Sequence, residues 1–232
     1  MKFTKMHGIG NDYIYVDARN EHEDWPQVAR TVSDRHFGIG ADGLILIHNS
    51  TKADLRMQMF NADGSEGEMC GNGIRCFAKL AIENGITPSL PESITVETLA
   101  GTLTVVPQYS GSDVSACTVD MGPPILTPNS VPVALGTNWE NQEYVIDYPF
   151  NDLGYNLEMS FLSMGNPHAI CFKEEPVDEF PLTEIGPQIE NHPIFPNKVN
   201  FEIVNIIAVS YTHLRAHETR QDLVCRLLLE KK

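Results

Sequence analysis

At 232 residues the chain has room for one large domain or two small ones, with length enough for a hydrophobic core. Its composition is that of a globular protein, 42% hydrophobic and 20% charged, without an apolar run that could span a membrane or an apolar segment behind Met1-Lys2-Phe3-Thr4-Lys5 that could act as a secretion signal. A formal charge of −15 disfavours nucleic acid and anionic membrane as main partners, while leaving room for a small anionic substrate in a locally positive pocket.

In chain order, strands are expected over residues 3–7 and 13–17, joined by the loop Gly8-Ile9-Gly10-Asn11-Asp12. Asp24-Trp25-Pro26 reads as a helix start, with that helix ending near His36. Gly38-Ile39-Gly40-Ala41-Asp42-Gly43 is a glycine-rich turn. It lacks the lysine and spacing of a phosphate-binding loop and leads into an apolar strand over 44–47, so a nucleotide site is rejected. Alternation of Leu55, Met57 and Met59 against Arg56, Gln58 and Phe60 predicts a strand over 55–61, followed by a loop over 61–67. A helix from Gly71 to about Asn84 is apolar round most of its circumference (Ile74, Cys76, Phe77, Ala78, Leu80, Ala81, Ile82). It must therefore be buried, with sheet wrapped round it, and Asn84-Gly85 stops it. Strands follow at 93–98, 102–106 and 116–121, and Gly122-Pro123-Pro124 with the Pro/Asn-rich run to Pro132 reads as a connection between domains. Beyond it, short strands are expected at 158–162, 168–172 and 200–204, with a turn at Met164-Gly165-Asn166-Pro167 and no buried helix comparable with 71–84.

Five cysteines, at 70, 76, 117, 171 and 225, form an odd, scattered set without Cys-x-x-Cys spacing. Neither a zinc site nor a disulfide framework is indicated, and a reducing cytoplasm is the expected compartment. Cys70 stands apart. In Glu68-Met69-Cys70-Gly71-Asn72-Gly73 it lies at the mouth of the expected helix, where unpaired backbone N–H groups favour an anion and a thiolate. Gly71 and Gly73 let a ligand carboxylate approach the same groups, so the pair suits removal of the α-proton of an amino acid. The bland reading of a free cysteine is a plain buried thiol, and Cys76, Cys117 and Cys171 take it. Taken alone, Asn11, Asn61 and Asn166 sit with turn residues, and His168 reads as a satisfied core histidine.

Several segments, in order, resemble the diaminopimelate epimerases among the cofactor-independent amino-acid racemases. They are Lys5-Met6-His7-Gly8-Ile9-Gly10-Asn11-Asp12-Tyr13, Gly38-Ile39-Gly40-Ala41-Asp42-Gly43, Phe60-Asn61-Ala62-Asp63-Gly64-Ser65, Glu68-Met69-Cys70-Gly71-Asn72-Gly73-Ile74-Arg75, Gly165-Asn166-Pro167-His168 and Val199-Asn200. The resemblance runs to about Ile207. It implies an α/β (α+β) fold of two similar domains, each a β-barrel-like sheet around a central helix, with the active site in the cleft between them. It also implies interconversion of LL- and meso-diaminopimelate, for lysine and peptidoglycan synthesis, with no cofactor and no metal. One cysteine thiolate takes the α-proton while a second, as thiol, delivers one to the opposite face. Carried over by position, Cys70 is catalytic, and Gly71 and Asn72 hold the reacting carboxylate through backbone N–H groups. Asn11, Asn61, Asn166 and Asn200 bind substrate, and His168 modulates a cysteine pKa. Gly43 stands where some members carry glutamine, which leaves at most a backbone contact. The full-length enzyme is a candidate homodimer. The rivals are a proline- or hydroxyproline-racemase-like or phenazine-type enzyme, against which Asn72 in place of histidine weighs, and a non-catalytic small-molecule-binding fragment.

The second cysteine of the resembled family lies in a Glu-Arg-Gly…Ala-Cys-Gly-Thr-Gly element downstream of Asn200, and these 232 residues contain none. From Val209 the character changes. Val209-Ser210-Tyr211-Thr212-His213-Leu214-Arg215-Ala216-His217-Glu218-Thr219 and the stretch from Asp222 resemble the translation of a transposase-type sequencing adapter. The expected division is an epimerase domain over 1–118 carrying the Cys70 helix, an incomplete second domain over 119–207, and a non-native tail over 208–232. In that tail Cys225, His213 and His217 carry no function. The alternative for the tail is an amphipathic helix capped by Asp222, with Leu223, Val224, Leu227 and Leu228 on one side. Lacking a second acid/base group, the chain is expected to be inactive as an epimerase. Residues 1–118 are expected to be the better-ordered half, because the second sheet loses its inner helix.

Overall fold

The computed structural model describes residues 1–136, 138–139, 141–208, 211–216 and 223–225, with side chains as far as Ile206. The chain divides into two compact units, Met1–Met121 and one beginning at Gly122.

The first unit opens with β1 (Thr4–Gly8) and β2 (Asn11–Asp17), an antiparallel hairpin closed by Ile9 and Gly10, both at positive φ (55° and 83°). A two-residue turn with both central residues left-handed matches the strand twist. The hairpin is therefore tighter than the expected five-residue loop. Asn11 is the first residue of β2, paired with Gly8, and not a turn residue. Helix α1 (Trp25–Ser33) is capped by the Asp24 side chain, which accepts the Gln27 N–H. It stops short of His36 because the Asp34 carboxylate accepts the N–H groups of His36 and Phe37 and turns the chain. Then come β3 (Gly43–His48), β4 (Leu55–Asn61), β5 (Glu66–Gly67), α2 (Gly71–Glu83), β6 (Ile94–Thr98), β7 (Gly101–Ser110) and β8 (Asp113–Val119). The strands form one mixed sheet in the order β1-β2-β3-β4-β6-β7-β8, with β5 folded back on β4.

Both β2–α1–β3 and β4–α2–β6 join parallel strands, but β4 runs opposite to β2. Right-handed crossovers from oppositely directed strands place their helices on opposite faces. Accordingly α1 packs with Ile14, Val16, Leu44, Leu46 and Phe60, and α2 with Tyr13, Tyr15, Ile45, Ile47, Met57 and Met59. Covering both faces is why 44–47 reads as an unbroken apolar run. Helix α2 also touches β1 at one end of the sheet and β7 and β8 at the other, so the sheet curls round it. Ile74 and Phe77 on α2 have no exposed surface, and each such burial stabilises by about 1.5–3 kcal/mol.

The second unit contains β9 (Val145–Phe150), β10 (Leu157–Ser163), β11 (Pro167–Lys173), α3 (Leu182–Glu190), β12 (Asn200–Ala208), β13 (Tyr211–Ala216) and β14 (Leu223–Cys225), in the sheet order β14-β13-β12-β11-β10-β9. Strand β9 was not expected. It lies at the sheet edge, which tolerates Pro149 and the irregularity at Asp147 (φ 54°). Helix α3 was not among the expected elements, and it contains Pro187. Leu182, Ile185, Gly186 and Ile189 nevertheless form a buried face at helical spacing, and packing into the unit's core outweighs the missing N–H of Pro187. At 223–225 the backbone pairs with β13 as a strand, unlike the amphipathic helix considered for the tail. His217 and the other residues of that segment not named above lie outside the described residues.

The run β10-β11-α3-β12-β13 repeats the topology of β1-β2-α1-β3-β4: an antiparallel hairpin, a parallel crossover and an antiparallel partner. Tyr13 pairs with Gly43 as His168 pairs with Asn200, and each follows a Gly-Asn pair (Gly10-Asn11; Gly165-Asn166) by the same spacing. The face of the second module toward α3 carries Ala169, Cys171, Phe201 and Ile203, matching the α1 face of the first.

Candidate active site

Cys70 is the N-cap of α2. Its backbone is extended (φ −137°, ψ 116°) and its sulfur accepts the Gly73 N–H at 3.3 Å. The N–H groups of Gly71 and Asn72 come before the first residue that can find an acceptor within the helix, so that end of α2 favours an anion. A Cβ at 73 would come within 2.6 Å of Ile45 Cδ1 and 3.3 Å of Cys70 Cβ, so glycine there lets the helix mouth seat against β3. A Cβ at 71 would meet only Met121, at 3.7 Å. The Tyr15 hydroxyl donates to the Gly73 carbonyl at 3.0 Å and ties the helix mouth to β2. The Asn72 side chain accepts from Arg75, leaving its backbone N–H as the group directed out of the helix end.

Asn11 meets the same sulfur: Cys70 Sγ donates to Asn11 Oδ1 at 3.3 Å. On its other side Asn11 Nδ2 donates to Asp42 Oδ2 at 2.7 Å, which also accepts the Asp12 N–H at 3.0 Å. Arg35 spans the two carboxylates, reaching Asp12 Oδ1 at 2.7 Å and Asp42 Oδ1 at 2.8 Å, and Lys5 adds an ion pair to Asp12 at 3.0 Å. Burial pushes the Asp12 carboxyl up, but the hydrogen bonds and charges of Arg35 and Lys5 outweigh it and bring the group down to about 2. Tyr13 is buried beside Cys70; burial first, then the charge of Cys70, pushes its phenol up. Asn61 is exposed at the end of β4, in register with Gly43, and its Nδ2 donates to Ser65 Oγ at 3.0 Å. At Gly43 a Cβ would lie 2.2 Å from the Phe60 carbonyl oxygen, so this backbone leaves no room for a side chain.

In the second unit, His168 Nδ1 lies 2.8 Å from Glu202 Oε1 and its Nε2 3.1 Å from Asn166 Oδ1. Asn200 is directly opposite His168 on β12. Glu202, 9% exposed, fixes the imidazole ring from the strand beside it. The residues singled out from sequence thus fall into two clusters, one in each unit: Asn11, Asn61, Cys70, Gly71 and Asn72 in the first, and Asn166, His168 and Asn200 in the second.

Four neighbours were not foreseen. Tyr13, Asp42 and Arg35 stand in segments read as strand, turn and helix end. Glu202 did leave a signal, a lone carboxylate among Phe201, Ile203 and Val204, since an unpaired charge is almost never fully buried. Cys76 and Cys171 are buried and Cys117 half-buried; all three are free thiols, and burial pushes each of them up. Among the described residues no three His, Cys, Asp or Glu side chains converge as a metal-binding group, and no helix is long and apolar enough to cross a membrane.

The family model for diaminopimelate epimerase matches residues 3–127, and a diaminopimelate epimerase from Desulfovibrio desulfuricans is 45% identical over 94% of this chain and 76% of its own length. The chain belongs to the diaminopimelate epimerase family. Diaminopimelate epimerases from Agathobacter rectalis and Methanococcus maripaludis are 48% and 47% identical, each over 94% of this chain and 76% of the relative. The chain therefore spans about three quarters of the length of these relatives. Membership makes it by descent an isomerase that works without pyridoxal phosphate. Two solved structures share the fold. A hydroxyproline epimerase from Agrobacterium vitis has a TM-score of 0.64 at 13% identity, covering 96% of this chain and 71% of that one. A PhzF-family phenazine biosynthesis protein from Bacillus anthracis has a TM-score of 0.61 at 21% identity, covering 97% and 77%. At such identities the likeness speaks for the fold alone.

Proposed function

We propose that Cys70 is one of the two acid/base groups of a diaminopimelate epimerase, the one that takes the α-proton of diaminopimelate at the mouth of α2. The α-carboxylate binds at the mouth of α2 on the Gly71 and Asn72 N–H groups. The Cα–H bond breaks, its proton passes to the sulfur, and the electron pair it leaves is delocalised into that carboxylate, where the helix end stabilises the growing charge. Inversion needs a second group on the opposite face, because a single base returns the proton to the side it came from. No other cysteine among the 232 residues is followed by glycine. Asn11, Asn61, Asn166 and Asn200 act as substrate-binding side chains, and His168, held by Glu202, as a modulator of the acid/base chemistry. The free thiols support a reducing cytoplasm as the working compartment.

The observation that carries this reading is the Cys70 sulfur on the helix mouth, hydrogen-bonded to Gly73 N–H and to Asn11. Incubation with LL-diaminopimelate in D₂O tests it. The expected result is α-deuteration that falls by about 10²–10⁴-fold in Cys70→Ala, the span of a single positioned proton-transfer group. Deuteration that survives Cys70→Ala, or is absent from the unaltered chain, sinks the role of Cys70.

A further inference from the structure

We propose that Asp42 is a positioning residue that biases the proton on Cys70, by holding the Asn11 amide so that its carbonyl oxygen and not its NH₂ group faces the sulfur. This rests on the reading of Cys70 as an acid/base group. An ionised carboxylate can only accept hydrogen bonds, so the edge of Asn11 that meets Asp42 Oδ2 at 2.7 Å must be the NH₂ edge. The opposite edge, the oxygen, is then presented to Cys70 Sγ at 3.3 Å. Asp42 is itself fixed, by the Asp12 N–H on one oxygen and Arg35 on the other.

That oxygen accepts a hydrogen bond from a thiol and offers a thiolate only repulsion. Across the sulfur, the Gly73 N–H at 3.3 Å does the reverse, stabilising the thiolate together with the helix end. Cys70 therefore lies between the Asn11 oxygen, which favours its protonated form, and the Gly73 N–H with the Tyr13 hydroxyl, which favour its ionised form. A group that must accept a proton in one direction of a reversible reaction and donate it in the other is served by such opposition. The remaining titratable groups whose charge bears on the sulfur are Tyr13 and Tyr15 on β2 and Cys76 on α2, each pushed up first by burial and so uncharged near neutrality. The permanently charged groups nearby are Lys5, Asp12 and Arg35 in the Asp42 cluster and Arg75 on α2.

The readout is the rate of Cys70 alkylation by iodoacetamide as a function of pH, followed by mass spectrometry of the Cys70 peptide in the full chain. Asp42→Asn keeps the shape but can offer its own amide N–H to Asn11, so the Asn11 amide is free to turn its NH₂ toward the sulfur. The alkylation midpoint is expected to fall by about one pH unit, the size of a hydrogen bond to a charged group gained in place of a repulsive contact. Loss of the Asp42 charge alone would also lower it, and the Asn11→Ala background separates the two. If Asp42 acts through Asn11, Asp42→Asn produces little shift there. An unmoved or raised midpoint, or an equal fall in both backgrounds, overturns the proposal. Continued protection of buried Cys76 and Cys171 marks a folded sample, and Asp42→Ser is read in the same way should Asp42→Asn not fold. Because alkylation does not depend on turnover, a Cys70 that shifts as expected yet never deuterates substrate condemns the catalytic reading and leaves this one standing. The converse result condemns this one alone.

Discussion

In the first unit, the face of β2 and β3 that carries Tyr13, Tyr15, Ile45 and Ile47 is sealed by α2. The matching face of β11 and β12 in the second unit carries His168, Ile170, Glu202 and Val204, of which Glu202 and Val204 are buried, and toward its far end leaves Phe172 49% and Ile206 62% exposed. The strand–helix–strand module is the same in both, and each outer helix packs in the same way. What differs is the element that follows the fourth strand. In the first unit the chain makes a short hairpin and enters α2, which brings a core-filling face and the Cys70 thiol together. In the second, no helix among the described residues does so. In the first unit one helix thus supplies both the filling of the inner face and the thiol.

The largest expected effect follows from this contrast. Phe77→Ala removes a fully buried ring from α2 and should destabilise the first unit by about 3–5 kcal/mol. Phe172→Ala, at a half-exposed position, should change stability by no more than about 0.5 kcal/mol. Urea denaturation of both variants measures the gap. A Phe172→Ala cost approaching that of Phe77→Ala would mean that the second inner face is buried in solution. A smaller effect concerns dynamics. Amides of α2 and β3, in the core of the first unit, should exchange with solvent more slowly than those of β11 and β12, whose inner face is partly exposed at Phe172 and Ile206. Equal protection in the two units would remove the asymmetry.

Much of this was legible because the relevant signals are local. Leu55–Asn61 alternates at strand period, and α2 is marked by apolar residues at nearly every turn, with Cys-Gly-Asn-Gly before it and Asn84-Gly85 after. What escaped was decided by packing between distant segments. Gly186-Pro187 argues against a helix until the face of Leu182, Ile185 and Ile189 meets its sheet, and Pro149 argues against a strand until β9 proves to be an edge. The Asp12–Arg35–Asp42 cluster joins residues far apart in sequence through a parallel register that no turn signal announces. The repeat of modules, implied by the family resemblance, does not show in the residues themselves, since little beyond a Gly-Asn pair is shared between them while the strand pairings coincide.

The smallest expected effect again sets the two units against each other, through their acid sensitivity. Asp12 is held down to about 2 from an ordinary 3.8, burial opposing and Arg35 and Lys5 prevailing. A carboxyl depressed in the folded state contributes stability that is complete above its unfolded value and disappears as pH falls through the folded one. The stability difference between the unaltered chain and Asp12→Asn should therefore be constant above about pH 5 and shrink between about pH 4 and 2, and added salt should reduce it because Arg35 is partly exposed. Asp152 in the second unit is also lowered, first by the Leu153 N–H and then by His192, but it is solvent-exposed. Asp152→Asn should show the same sign with a smaller amplitude. Urea midpoints at a series of pH values compare the two. If the Asp12→Asn difference stays level down to about pH 2, the Arg35–Lys5 clamp is not ordering that carboxylate in solution, and the rigid support claimed for Asp42 and Asn11 beside Cys70 loses its foundation.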